Sequence, residues 1–149
     1  MRVALGADHG GYELKEAIRE YLIAKGIEVQ DFGTHSTESV DYPRFGLAVG
    51  MAIQKGEADL GITVCGTGQG IAMAANKIPG IRAAVCSDTF SARMAREHNN
   101  ANILSLGGRV IGVGLALDIV DIFLKTDFSG GRHARRIELI TDFERNGKM

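Results

Sequence analysis

Short, nearly solid apolar runs alternate along this chain with longer stretches in which apolar residues recur every three or four positions. The runs read as buried strands and the stretches as helices with one apolar stripe. Five runs fit strands: Arg2–Ala7, Ile27–Phe32, Asp59–Val64, Ile81–Cys86 and Asn102–Leu106. Tyr12 to Lys25 carries Leu14, Ile18, Tyr21 and Leu22 on one side, and Gly26 closes this helix as a C-cap. Gly33 to Asp41 is polar and reads as a surface loop. Pro43 opens a second helix, in which Phe45, Leu47, Ala48, Met51 and Ala52 are expected to face inward, with Gly56 at its end. A short helix over Ile71–Lys77 is stopped by Pro79-Gly80. Ser87 or Asp88 caps a fourth helix running to about His98. A fifth spans about Gly112 to Leu124, and Gly130-Gly131 separates it from a last helix over about Arg132–Glu144.

Strands that alternate with helices at this spacing predict a parallel sheet covered on both faces. The expected class is α/β: a five-stranded, doubly wound, three-layer αβα sandwich with a C-terminal helix, in one domain over residues 1–149. Ligands in such sheets bind beyond the carboxyl ends of the strands. Those ends carry Asp8-His9, Cys65 to Gly70, Ser87-Asp88 and Gly107 to Arg109, so these polar groups are expected on one edge. The last helix has no strand to return to and is free to pack on its own domain or on a partner.

The stretch Ile62-Thr63-Val64-Cys65-Gly66-Thr67-Gly68-Gln69-Gly70-Ile71-Ala72 carries the most chemistry. A strand that stops in a glycine loop and restarts as a helix aims several N–H groups at one spot, which suits a phosphate or a reaction oxyanion. Cys65 stands at its rim, and a thiol beside a helix N-terminus ionises more readily than a free one. The loop is not a dinucleotide fingerprint: its spacing is G-x-G-x-G, and the third glycine of G-x-G-x-x-G would fall on Ile71. No Gly-Lys-Ser/Thr follows, so it is not a P-loop.

Composition narrows this reading without redirecting it. The 45% hydrophobic content is that of an ordinary globular chain, and a net charge of −1 gives no drive toward nucleic acid or membrane. No apolar run reaches the length of a membrane span. Met1 to Gly6 meets Asp8 too soon for a signal peptide, and two cysteines make no disulfide framework, so a reduced cytoplasmic setting is expected. The four histidines (His9, His35, His98 and His133) are scattered with no paired spacing around a cysteine, which argues against a metal site.

Each remaining candidate has a plain reading beside the chemical one. A free cysteine is often a small buried hydrophobe; the glycine loop favours chemistry for Cys65, whereas Cys86, with no such loop, reads as structural. Asp8-His9 fits loop capping or ligand contact, and Tyr42 beside Pro43 fits packing or contact. His98 at a helix end suits the dipole, yet imidazole also shuttles protons near neutral pH. Arg109 follows the fifth strand and fits an anion or a surface carboxylate. Arg132-His133-Ala134-Arg135-Arg136 sets cations at a helix N-terminus, where the dipole disfavours them. Arg132 and Arg136, four apart, share a face and make a phosphate clamp.

Taken together, Gly6-Ala7-Asp8-His9-Gly10-Gly11, Asp41-Tyr42-Pro43, Cys65 to Gly70, Ala74-Ala75-Asn76-Lys77, Gly80-Ile81-Arg82-Ala83, His98-Asn99-Asn100-Ala101-Asn102 and Gly130-Gly131-Arg132-His133 resemble the type B ribose-5-phosphate isomerase family, which includes the galactose-6-phosphate isomerase subunits. The resemblance runs in family order from residue 3 to about 140. It implies a flavodoxin-like (Rossmann-like) sandwich and a homodimer with shared active sites. It leaves pairing into a tetramer open, and it implies no metal and no organic cofactor. By the same resemblance Cys65 is the base that moves a proton between the first two sugar carbons and Thr67 assists near the enediolate. Backbone N–H groups of Gly66, Gly68, Gln69 and Gly70 hold the oxyanion, and His98 opens the furanose ring from the partner subunit. Asp8, Tyr42 and Asn99 match sugar contacts; His9, Arg132 and Arg136 match phosphate ligands, with Arg109 a weaker match. The substrate implied is ribose 5-phosphate, interconverted with ribulose 5-phosphate. Allose or galactose 6-phosphate is the alternative within the same chemistry, and a non-catalytic phospho-receiver or nucleotide module is the rival from another class. A receiver would need a lysine after the last strand, where this chain has Gly107-Gly108-Arg109.

Overall fold

In the computed structural model, which describes residues 1–148, five strands pair in parallel in the order β2-β1-β3-β5-β4. They are β1 (Arg2–Ala7), β2 (Glu28–Asp31), β3 (Leu60–Cys65), β4 (Ala83–Val85) and β5 (Ile103–Gly107). The helices between and after them are α1 (Tyr12–Ala24), α2 (Tyr42–Gln54), α3 (Gln69–Ala75), α4 (Thr89–Glu97), α5 (Val113–Lys125) and α6 (Arg132–Asn146). The order departs from the flavodoxin arrangement 2-1-3-4-5 only by exchange of the last two strands. The three central strands β1, β3 and β5 are buried nearly throughout, which is why they read as solid apolar runs. The edge strand β4 is half the length of β3 and partly exposed, so its regular part is shorter than the apolar run Ile81–Cys86 suggests.

Alternation along the strands builds two cores, one on each face. Val3, Leu5, Ile62, Val64, Leu104 and Leu106 point to the face covered by α1, α4 and α5, where Ile18, Leu22, Ile119 and Phe123 are fully buried. Ala4 and Ile103 point to the other face, against Val49 and Ala52 of α2 and Ala75 of α3.

On α2 the buried stripe is Gly46, Val49, Gly50 and Ala52; Leu47 and Met51, expected inward, are exposed. Packing distance decides this. A Cβ on Gly46 would stand 2.5 Å from the Ile71 carbonyl oxygen of α3, and one on Gly50 2.7 Å from Ile78 Cδ1. Two glycines one helical turn apart let α2 and α3 nearly touch, so the larger side chains are turned outward. The result is an exposed apolar surface at Tyr42, Leu47, Met51 and Met73.

Helix α6 lies outside the two layers. Ile137 is its one buried residue among those described, and Glu144 Oε2 accepts the Gly80 N–H at 2.9 Å, which leans the helix on the β4 edge. Leu139, Ile140 and Phe143 remain exposed.

The two ends of the apolar scale on α1 are separable by mutation. Ile18→Ala empties a fully buried position and lowers the unfolding free energy by about 2–5 kcal/mol. Ile23→Ala on the exposed side of the same helix costs under about 1 kcal/mol. Urea denaturation at fixed protein concentration measures both.

Candidate active site

The crevice between β1 and β3 opens where the following helices leave for opposite faces, α1 to one and α3 to the other. Three glycine-containing loops meet there. The Gly108 N–H donates to the Cys65 carbonyl at 2.8 Å, Arg109 N–H to the Gly66 carbonyl at 3.0 Å, and Asp8 N–H to the Val64 carbonyl at 3.2 Å. A Cβ on Gly108 would stand 2.6 Å from the Gly10 carbonyl oxygen, so these backbones approach as only glycine permits.

Cys65, the last residue of β3, is 5% exposed. The Gly68 N–H donates to its Sγ at 3.1 Å, which fixes the sulfur against the loop. Gly68 has φ +81°, the left-handed turn that starts α3, and the helix begins at Gln69, two residues before the sequence suggests. The Gln69 N–H donates to Thr67 Oγ1 at 3.3 Å. The N–H groups of Gly66, Thr67 and Gly70 meet no acceptor among the described residues, which leaves them for a ligand oxygen.

Around this loop stand other expected residues. The Asp8 carboxylate is buried, and its Oδ1 accepts the Gly10 and Gly11 N–H groups at 2.9 and 3.2 Å. His9 Nδ1 accepts the Val40 N–H at 3.1 Å, which leaves Nε2 to carry the proton of the neutral ring. The Tyr42 ring lies over Gly70, where a Cβ would meet Cζ at 2.5 Å. Arg109 is exposed, with Nη1 3.2 Å from where a Gly66 Cβ would be. Asp88 proves to be the cap of α4, accepting the Ser91 N–H at 2.7 Å.

His98, Asn99, Arg132 and Arg136 are not part of this cluster. Helix α4 runs back from the carboxyl end of β4, so His98 lies at the opposite edge of the sheet, where Asn102 N–H donates to the Arg82 carbonyl just before β4 and β5 begin. Strands of six residues set the two edges about 20 Å apart. The expectation of one common edge therefore holds for the loops after β1, β3 and β5; these four, which that expectation did not include, lie at the opposite edge. They form a second cluster of their own. The His98 and His133 rings stack with centroids 4.1 Å apart and planes 8° from parallel. His98 Nε2 is 3.8 Å from Glu97 Oε1. Arg132 and Arg136 are exposed on the first turns of α6. Burial, then the charges of His98, Arg132 and Arg136, push the His133 imidazole below its usual value.

Cys86 has the opposite environment to a base. Burial, then the Asp88 carboxylate, raises its thiol from the ordinary 9.0 to about 11. Sequence reasoning passed over His133 as a partner of His98, and over the ion pair of Lys15 and Asp31. The latter had a signal: Lys15 falls on the stripe of Ile18 and Leu22 and is fully buried with them. Among the described residues no group of three His, Cys, Asp or Glu is placed to hold a metal ion, and no helix is long and apolar enough to cross a membrane.

Comparison with known proteins adds to this geometry. The family model described as Ribose/Galactose Isomerase matches residues 3–140. The chain is 49% identical over 143 residues to ribose-5-phosphate isomerase B of Escherichia coli strain K12, covering 96% of each. Its structure superposes on that of Clostridium thermocellum ribose-5-phosphate isomerase B with a TM-score of 0.98 at 59% identity, over 99% of this chain and 100% of that one. It also matches the Mycoplasma genitalium ribose-5-phosphate isomerase B with bound ribulose-5-phosphate, with a TM-score of 0.94 at 41% identity, covering 97% of each.

The Cys86 thiol makes a pH prediction. Below about pH 9 it is protonated in both folded and unfolded chains, and its contribution is fully present. Above that the unfolded chain loses the proton first, so stability falls as pH rises from 9.0 to about 11. The slope due to this group is at most ~1.4 kcal/mol per pH unit. Cys86→Ala flattens the fall, as read by chemical denaturation across that window.

Proposed function

The chain belongs to the ribose/galactose isomerase family, and from that premise we propose that it interconverts D-ribose 5-phosphate and D-ribulose 5-phosphate. The observation that carries this is Cys65, closed under the glycine loop with the Gly68 N–H on its sulfur and unpaired N–H groups beside it. A base and a row of fixed donors at one place are what proton transfer next to a carbonyl requires.

The ring form of the sugar opens first, with the His98 imidazole taking up and returning the hydroxyl proton. The Cys65 thiolate then removes the proton from C2 of the open aldose, and the C2–H electron pair becomes the double bond of a cis-enediolate. The N–H groups of Gly66 to Gly70 hold the developing charge, one such donor being worth about 3 kcal/mol. Thr67 passes the proton between the two oxygens, and Cys65 returns its proton to C1, giving the ketose. Asp8, Tyr42 and Asn99 hold the sugar hydroxyls; His9, Arg132 and Arg136, with Arg109 beside the loop, hold the phosphate. Binding the phosphate far from the reacting carbons keeps the open chain aligned. No metal or organic cofactor takes part in this scheme.

The distance between the two clusters supports a homodimer with shared sites. His98, Asn99, Arg132 and Arg136 of one subunit serve Cys65 of the other. The exposed apolar hollow of about 450 Å³ bounded by Tyr42, Leu47, Gly70, Met73 and Lys77 adjoins the glycine loop, and it supports docking of a second copy beside Cys65. The family description names galactose as well as ribose, which keeps a six-carbon sugar phosphate as the alternative substrate.

An isomerisation assay with ribose 5-phosphate and allose 6-phosphate, on wild type and Cys65→Ala, tests the reaction. Rapid pentose conversion, lost at least about 10²-fold in the variant, is expected. Equal efficiency on the hexose overturns the pentose assignment, and near-normal turnover of Cys65→Ala overturns the base. Mixing tests the sharing. Cys65→Ala and His98→Ala, each inactive alone, recover about a quarter of wild-type activity when unfolded and refolded together in equal amounts, because half the dimers are mixed and each mixed dimer has one intact site. No recovery means that each chain builds its own site.

A further inference from the structure

Lys15 is the largest fully buried side chain that carries a charge, and the mechanism above makes no use of it. Its Nζ donates to both carboxylate oxygens of Asp31, at 2.8 and 2.7 Å, and to Glu16 Oε1 at 2.8 Å. Asp31 ends β2, and the segment after it borders the site. Asp31 Oδ1 also accepts the Gly33 N–H at 2.9 Å. Gly33 in turn accepts the Ala7 N–H, and the Thr34 N–H donates back to the Ala7 carbonyl, both at 2.6 Å. Six residues on, the Val40 N–H is the donor that orients His9 through Nδ1. One carboxylate therefore joins the buried ammonium to the segment that grips the chain on both sides of Asp8.

We propose that Lys15, through Asp31, is a positioning residue that clamps the segment 31–40 and so holds His9 in its substrate-binding orientation. A salt bridge between a fully buried lysine and a carboxylate that is mostly buried is held by its local hydrogen bonds rather than by solvent-screened attraction. Arg19 Nε at 3.6 Å and His35 Nδ1 at 4.0 Å face the outer side of the same carboxylate. Arg19 is half-buried and His35 exposed, and neither replaces the ammonium. The inference rests on the assignment of His9 to the substrate phosphate.

Lys15→Met keeps the length of the side chain and removes the charge. Lys15→Met/Asp31→Asn also removes the orphaned carboxylate while keeping an acceptor for the Gly33 N–H, and it serves where the single variant fails to fold. Two readouts apply to whichever is folded. Amide exchange at Gly33, Thr34 and Val40 speeds at least tenfold, while Ile62 and Leu104 in the central strands change less than twofold. The KM for ribose 5-phosphate rises about fivefold or more, with kcat within twofold of wild type. Exchange that speeds equally in the central strands reveals a merely structural role and overturns the proposal, as does an unchanged KM where His9→Ala raises it. If His9→Ala itself leaves KM unchanged, the role of His9 fails instead, and with it the claim that the clamp serves substrate binding, whatever the exchange reports about the segment.

Discussion

The contact between the glycine-bearing loops after β1, β3 and β5 is what the candidate site depends on. Backbone lies on backbone there: Gly108 against Gly10, Gly10 beside the Gly66 nitrogen, Gly107 against the Thr67 carbonyl. A side chain at any of these positions would push the loops apart and move the N–H groups that now surround Cys65. The same closeness leaves little room for water between the loops, and a dry setting strengthens the interaction of fixed dipoles with a developing charge. The site is thus a consequence of chain proximity first and of reactive side chains second.

The parallel sheet imposes the second constraint. Every helix must return the chain to the amino edge before the next strand begins, so the end of α4 and the start of α6 are carried away from the loop after β3. The proposed reaction, which uses both groups at one centre, would therefore draw one of them from a second copy. The apolar surface left on α2 and α3 by the glycine packing of Gly46 and Gly50, and the uncovered face of α6, fit that proposal. Exposed Leu47, Met51 and Met73 are costly on an isolated subunit and useful on a subunit that meets its copy.

Charge is used sparingly in the interior. Lys15 and Asp31 form a buried link that meets its hydrogen-bonding needs locally, through Glu16 on one side and the Gly33 N–H on the other. Removing one partner of such a pair is far more costly than replacing both, because the remaining charge stays buried without compensation. In this fold the pair lies where an irregular segment must be held against the end of a strand, a place where apolar packing alone has little purchase.

Much was legible in the sequence because it depends on local periodicity and turn chemistry. Solid apolar runs marked β1, β3 and β5, the stripe Leu14-Ile18-Leu22 marked α1, and the strand–glycine–helix transition marked Cys65 and its loop. Family order of the motifs added the rest of the residue set. What one-dimensional pattern could not hold was distance across the fold. Leu47 and Met51 read as core because hydrophobicity says nothing of how closely two helices approach, and Gly46 with Gly50 reversed the choice. Lys15 drew no reading, because only tertiary contact brings Asp31 to it from β2. The sequence by itself determined the elements, their order and the chemistry available at each strand end. The tertiary structure alone decided that α6 brings His133 to stack on His98, because no following strand fixes the direction of that helix and only its packing does.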